Sequence, residues 1–170
     1  MRTERAARRI LKGANPEHAS DMIEIEEEVL TSLPIERVFA YVAEFTHIAA
    51  WDPGIRSSEK VHGGELALGD RYEIVASFMG VPVPMTYEVL LLAAPERVVL
   101  KGDAPTATAV DDIGFDRLES GGTRIRWRAE LSFKGWRAVN EPIAAPFFAR
   151  LGRHAMRGLR EELARQEAAV

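Results

Sequence analysis

The chain has 170 residues, 46% of them apolar, no cysteine and a formal net charge of −4. That length suits one domain burying roughly 70% of the surface its unfolded chain exposes. The composition excludes disulfides and thiolate metal sites, and the charge speaks against nucleic acid as a partner of the whole domain. No run approaches the ~18 apolar residues of a membrane span, and the first residues lack the apolar core of a secretory signal, so a cytoplasmic location is expected.

"MRTERAARRILK" carries five basic side chains and one acid. Its two large apolar residues, Ile10 and Leu11, offer little surface to fold on, so residues 1–20 read as a flexible basic segment and 21–170 as the domain. From Met22, "MIEIEEEVL" alternates at strand spacing. Glu27 shares a face there with Ile25 and Val29, where an acid is costly unless partnered, which makes it a polar pocket candidate. "LPIERVFAYVAEF" changes period: Pro34 suits a first helical turn, and Val38, Tyr41, Val42 and Phe45 share one face. His47 is a second polar candidate, placed for proton transfer. "HIAAW" adds a turn that Asp52-Pro53-Gly54 ends, because the residue before proline leaves the helical region and glycine permits the reversal.

The middle of the chain is strand and turn. "RSSEKV" is a short strand candidate. Tyr72, Ile74, Ala76 and Phe78 fall on one face of the next, and Met85, Tyr87, Val89 and Leu91 on one face of another. After "VVLKGD", two strands flank the "ESGG" connection. In the last, Ile125, Trp127, Ala129, Leu131 and Phe133 face one way and Arg124, Arg126, Arg128 and Glu130 the other, the pattern of a sheet with one dry face. Asp112 and Asp116 on the preceding strand can sit beside those arginines. The end reads as a long helix starting at Pro146. Phe148, Leu151, Ala155, Leu159 and Leu163 form its apolar stripe, with arginines on the solvated side. Gly152, Ala155 and Gly158 make that stripe unusually small. Glycine inside a helix costs roughly 0.5–1 kcal/mol relative to alanine, so close backbone approach or vacant space is expected there.

The order is strand, short helices, further strands, long helix. "VLTSLPIERVFAYVAEFTHIAAWDPGI", "GGTRIRWRAEL" and "FFARLGRHAMRGLREELA" resemble the helix-grip superfamily (START-like, SRPBCC), which includes lipid-transfer domains, plant pathogenesis-related proteins and bacterial polyketide cyclases. The resemblance covers roughly residues 22–167 and is closest in look to the polyketide cyclase group. It implies an α+β fold: a seven-stranded curved antiparallel sheet around the long C-terminal helix, with two short helices after the first strand. It also implies a cavity between sheet and helix, with Trp51 near its mouth.

A single function class follows, with two rivals. The expected function is binding of a small lipophilic ligand in an apolar cavity lined by Trp51, Tyr72, Phe78, Met85, Tyr87, Phe115, Trp127, Gly152, Ala155 and Leu159. The resemblance also admits a cyclase or aromatase acting in the same cavity, with enclosure supplying most of the catalysis. Some relatives are interaction partners or membrane-linked quinone binders, a third class. No cofactor is expected, and no metal, since His18, His47, His62 and His154 have no ligand spacing to one another. Oligomeric state stays open, a homodimer included.

Overall fold

In the computed structural model, residues 22–134 and 141–169 are described, with side chains from 145 onward in the second stretch. The expectation for residues 1–20 lies outside the described residues. The elements run β1 (Met22–Thr31), α1 (Ile35–Val42), a 3-10 turn (Phe45–His47), α2 (Ile48–Trp51), β2 (Ile55–Lys60), β3 (Arg71–Phe78), β4 (Val81–Ala93), β5 (Arg97–Asp103), β6 (Ala107–Arg117), β7 (Thr123–Phe133) and α3 (Glu141–Ala168). The strands form one seven-stranded antiparallel sheet in the order β1-β7-β6-β5-β4-β3-β2. Its neighbours are sequence neighbours except at β1, which returns beside β7. The helix-grip expectation holds: the concave face takes α3 and the short helices.

Two local readings need correction. The long helix begins at Glu141, and Pro146 lies inside it. At that distance from the N-terminus the missing N–H removes one helix bond, which the packing of the remaining turns tolerates. Leu91 is not in register with Val89: the β4–β5 ladder shifts between Val89 and Leu91. The extra residue of this irregularity turns Leu91 to the outer face, where it packs with Val99, and lets Leu92 join the core.

The outer face carries the predicted charges. Asp116 pairs with Arg126 at 2.8 Å, but Asp112 pairs with Arg97 of β5 through two bonds of 2.8 and 2.6 Å. Arg128 turns to Glu24 at 2.9 Å and to Glu130 at 3.0 Å, and Arg124 reaches Glu28 at 3.4 Å. Exposed pairs of this kind contribute little individually.

Sheet and helix meet most closely along β1, and α3 also touches α2. The second contact explains Gly158. A Cβ there would lie 1.9 Å from the carbonyl oxygen of Trp51, so the glycine marks backbone docking, not vacant space. At Gly152 the same atom would meet Cγ2 of Ile25 on β1 at 2.9 Å. A further anchor ties the ends together: Glu167 accepts from Thr31 Oγ1 and from the Ser32 backbone N–H, both at 2.6 Å.

Replacing a helical glycine with alanine ordinarily gains stability, so Gly158→Ala reverses the usual sign here. We expect a loss of about 1–3 kcal/mol from overpacking against Trp51, read as a melting temperature lower by several degrees. A neutral or stabilised variant would show that α2 does not dock on this turn.

Candidate functional site: a buried acid under a half-open concave face

The concave face divides into two halves of unequal packing. One half is filled. Phe45 lies at its centre, with ring centroids 6.1 Å from Tyr72, 5.5 Å from Tyr87 and 6.3 Å from Trp127. Trp51 meets Trp127 edge-on at 5.5 Å, and Phe39 meets Phe115 edge-on at 5.2 Å. Ala155, Met156 and Leu159 of α3 close over this group, all buried.

Seven of the residues expected to line a cavity therefore belong to an interlocked core: Trp51, Tyr72, Tyr87, Phe115, Trp127, Ala155 and Leu159. Trp51 is a packing anchor. Gly152 sits against Ile25. His47 is also committed elsewhere, stacked on Tyr41 at 4.6 Å with Nδ1 2.9 Å from the Tyr41 carbonyl oxygen. Glu27 is half-buried on β1, opposite Trp127 in register. Periodicity places a side chain on a face, but it cannot say which stretch of that face is covered.

The other half is less completely buried among the described residues. Toward the N-terminal half of α3, the inward residues Ala76, Phe78, Val83, Met85, Ala109, Ala129, Leu131 and Phe133 are only half-buried, as are Phe148 and Leu151 of α3. Phe78 stacks on Phe148 at 5.4 Å, and Phe133 lies against Phe148 at 5.4 Å, so aromatic rings rim this end. Phe78 and Met85 are the two expected lining residues that fall here.

Between the halves sits a carboxyl group that strand alternation could have found. Asp111 has the parity of Ile113 and Phe115 and faces inward, unlike Asp112 beside it. It is only 9% exposed. Oδ1 accepts from Trp127 Nε1–H at 2.8 Å, and the Tyr87 hydroxyl bears on the same carboxyl. Tyr87 reaches it because Gly102, opposite in register, has no side chain: a Cβ there would lie 2.5 Å from the ring. The second acid, Asp52, ends α2 and accepts from the Gly54 N–H at 2.7 Å, which fixes the corner seen in the sequence. It is close enough to Asp111 for the two to interact electrostatically. No basic side chain among the described residues ion-pairs with either.

Burial pushes the Asp111 carboxyl up from 3.8 to about 6, with the bonds from Trp127 and Tyr87 partly offsetting it. Burial also lifts Asp52 to about 6; the Gly54 N–H opposes this and the neighbouring Asp111 charge adds to it. The Tyr87 hydroxyl is pushed well above its ordinary range by burial and by Asp111. Perturbed acids on the wall of a concavity are the usual mark of a site.

Two other depressions are less promising. The larger, about 1130 Å³, is lined mainly by outer-face charges such as Glu26, Arg97, Asp112 and Arg128, and Glu27, Phe115 and Trp127 also border it. Its charges largely satisfy one another, and it is broad and open, so it recommends no ligand. The smaller, about 350 Å³, runs between the Trp51–Pro53 corner and His154, Arg157 and Glu161 of α3, with Asp52 on its wall. Among the described residues no group of three metal-ligating side chains occurs, and no helix is long and apolar enough to cross a membrane.

The acids set a pH dependence. Between the unfolded value of 3.8 and the folded value of about 6, the folded chain holds protons that the unfolded chain has released, so this contribution to stability falls as pH rises. Asp111→Asn keeps the acceptor for Trp127 and cannot ionise. Its stability relative to the native protein should grow from near zero at pH 4 to a gain of about 1–3 kcal/mol above pH 7, measured by urea unfolding. A difference independent of pH would show that folding does not raise the Asp111 carboxyl above its ordinary value.

Comparison with known proteins agrees with this architecture. Residues 22–164 match the model of a family described as polyketide cyclase / dehydrase and lipid transport. No curated protein sequence matches the chain. Among solved structures, a START superfamily protein from Mycobacterium smegmatis is similar, with TM-score 0.71, 12% identity and coverage of 84% of this chain and 98% of that one. The protein TTHA0849 from Thermus thermophilus gives TM-score 0.70 and 17% identity over 84% and 98% of the two chains. The ZhuI aromatase/cyclase from a Streptomyces species gives TM-score 0.70 and 14% identity over 85% and 95%. At such identities the structures speak for the fold alone, whereas the family model spans most of the chain. By that match the chain belongs to the polyketide cyclase / dehydrase and lipid transport family.

Proposed function

We propose that the protein binds a small lipophilic molecule in the half-open end of its concave face, between β3–β7 and the N-terminal half of α3. One observation carries this reading. A run of inward apolar side chains, including Phe78, Met85, Leu131, Phe133 and Phe148, is only partly buried, while the same face a few residues further along is fully buried. Apolar surface on a concave wall, with one polar group at its inner edge, is the usual composition of a ligand pocket. Phe78, Phe133 and Phe148 supply area with few rotamers to freeze, and Met85 adapts to an irregular shape. The family's description, which includes lipid transport, supports a carrier or sensor role.

A second reading, a cyclisation or dehydration catalyst in the same cavity, is favoured by Asp111. A carboxylic acid held at the floor by Trp127 and Tyr87 is placed to give or take a proton from an enclosed substrate. The ZhuI structure supports this reading by its fold alone.

Leu131→Glu tests the pocket. The charge costs some stability on this partly buried face, so the variant is first shown to be folded by urea unfolding, and affinity for the neutral probe N-phenyl-1-naphthylamine should then fall at least tenfold, about 1.4 kcal/mol. Ala155→Phe is the counterpart in the filled half and should cost about 1–3 kcal/mol by overpacking. Unchanged probe affinity in Leu131→Glu would remove the pocket from this end. Native mass spectrometry of protein from its own host would identify what it carries.

A further inference from the structure

The floor of the half-open end is lined by unusually small residues around one acid. Across the sheet, Ile25, Ala129, Asp111, Leu100 and Val89 form one register row. The next row toward the open rim runs Leu131, Ala109, Gly102, Tyr87. Ala129 stands directly beside Asp111, and Ala109 lies two residues along the same strand. Both are half-buried, whereas Leu100 and Ile113 are fully covered. Ala109 and Ala129 therefore leave the carboxyl less covered toward Leu131 than toward Ile113, while the Tyr87 ring fills the place of a side chain at Gly102.

We propose that Asp111 is the specificity-determining residue of this site: as a carboxylic acid it donates a hydrogen bond to an acceptor oxygen, such as a carbonyl, at the inner end of an apolar ligand. This rests on the pocket reading above. Trp127 Nε1–H occupies Oδ1 and the Tyr87 hydroxyl shares the carboxyl, so the proton offered to a ligand is one on Oδ2. A neutral acceptor fits better than an ammonium, because neither partner then carries a charge into an apolar floor. The titratable groups facing this point are few: Tyr87 from β4, Asp52 from the corner after α2, and Glu27 from β1 beside Trp127. The titratable residues His154, Arg157 and Glu161 of α3 line the separate cleft that Asp52 borders. The acid is protonated below about pH 6 and ionised above it, so the donor is present on the acid side and lost as pH rises.

Fluorene and 9-fluorenone make a matched pair of probes, since they share one ring frame and differ by a carbonyl. Competition against N-phenyl-1-naphthylamine at pH 5 and pH 8 gives the fluorenone-to-fluorene affinity ratio. The native protein should show a ratio roughly three- to tenfold higher at pH 5 than at pH 8, the range expected for one hydrogen bond. Asp111→Asn, whose amide donates at any pH, should keep the high ratio at both. Asp111→Leu should show the low ratio at both. A native ratio independent of pH, or one that persists in Asp111→Leu, overturns the assignment while leaving the pocket standing. Failure of fluorene and fluorenone alike to bind defeats the pocket itself, and the assignment with it.

Discussion

The carbonyl of Trp51 occupies the space where a side chain at position 158 would begin, and the interior depends on that contact. It holds the end of α2 against α3, which sets Trp51 edge-on against Trp127. Trp127 in turn gives its indole N–H to Asp111. Asp111 lies near Asp52, the residue that follows Trp51 in the chain. The dependence is circular: a backbone contact on the helix positions a ring, the ring fixes an acid, and the acid bears on the corner that made the contact. Loosening one member takes hydrogen-bond partners from groups that stay buried, the Asp111 carboxyl among them, which is where the cost would fall.

A gradient of packing follows from this seam. Around Phe45 the large aromatic rings fill the space between sheet and helix, because there the short helices add a second layer over the concave face. Further along, nothing in the described residues doubles the cover, and the same inward-facing strands carry smaller or half-exposed side chains. The filled half holds most of the fully buried apolar side chains, and the thinly covered half is where the proposed ligand would lie. Domains of this size bury enough surface to leave part of a face unfilled.

The outer face plays no part in that division. Its row of arginines and acids pairs across strands, and Arg97 takes the Asp112 that register alone would offer to Arg128. These contacts keep a wet face wet and specify register more than they add stability.

Alternation in β3, β6 and β7, the Asp-Pro-Gly corner and the long amphipathic stripe together disclosed the sheet, the helix and the face each residue takes. Those are local properties, set by a period of two or 3.6 and by the backbone limits of proline and glycine. The same parity that puts Asp112 outside puts Asp111 inside, so the inward acid was legible in the strand alternation. Other features were not legible. The shift at Val89–Leu91 reverses a face through one irregular pairing, and helix formation before Pro146 needs the packing of later turns. Gly158 announced close approach or empty space with equal force, and only the position of the Trp51 carbonyl chose between them. Which half of an apolar face is filled depends on what lies above it, a contact between residues far apart in the chain. A one-dimensional pattern carries no distance between such residues, so the core and the pocket wall have the same spelling until the fold brings a second layer over one of them.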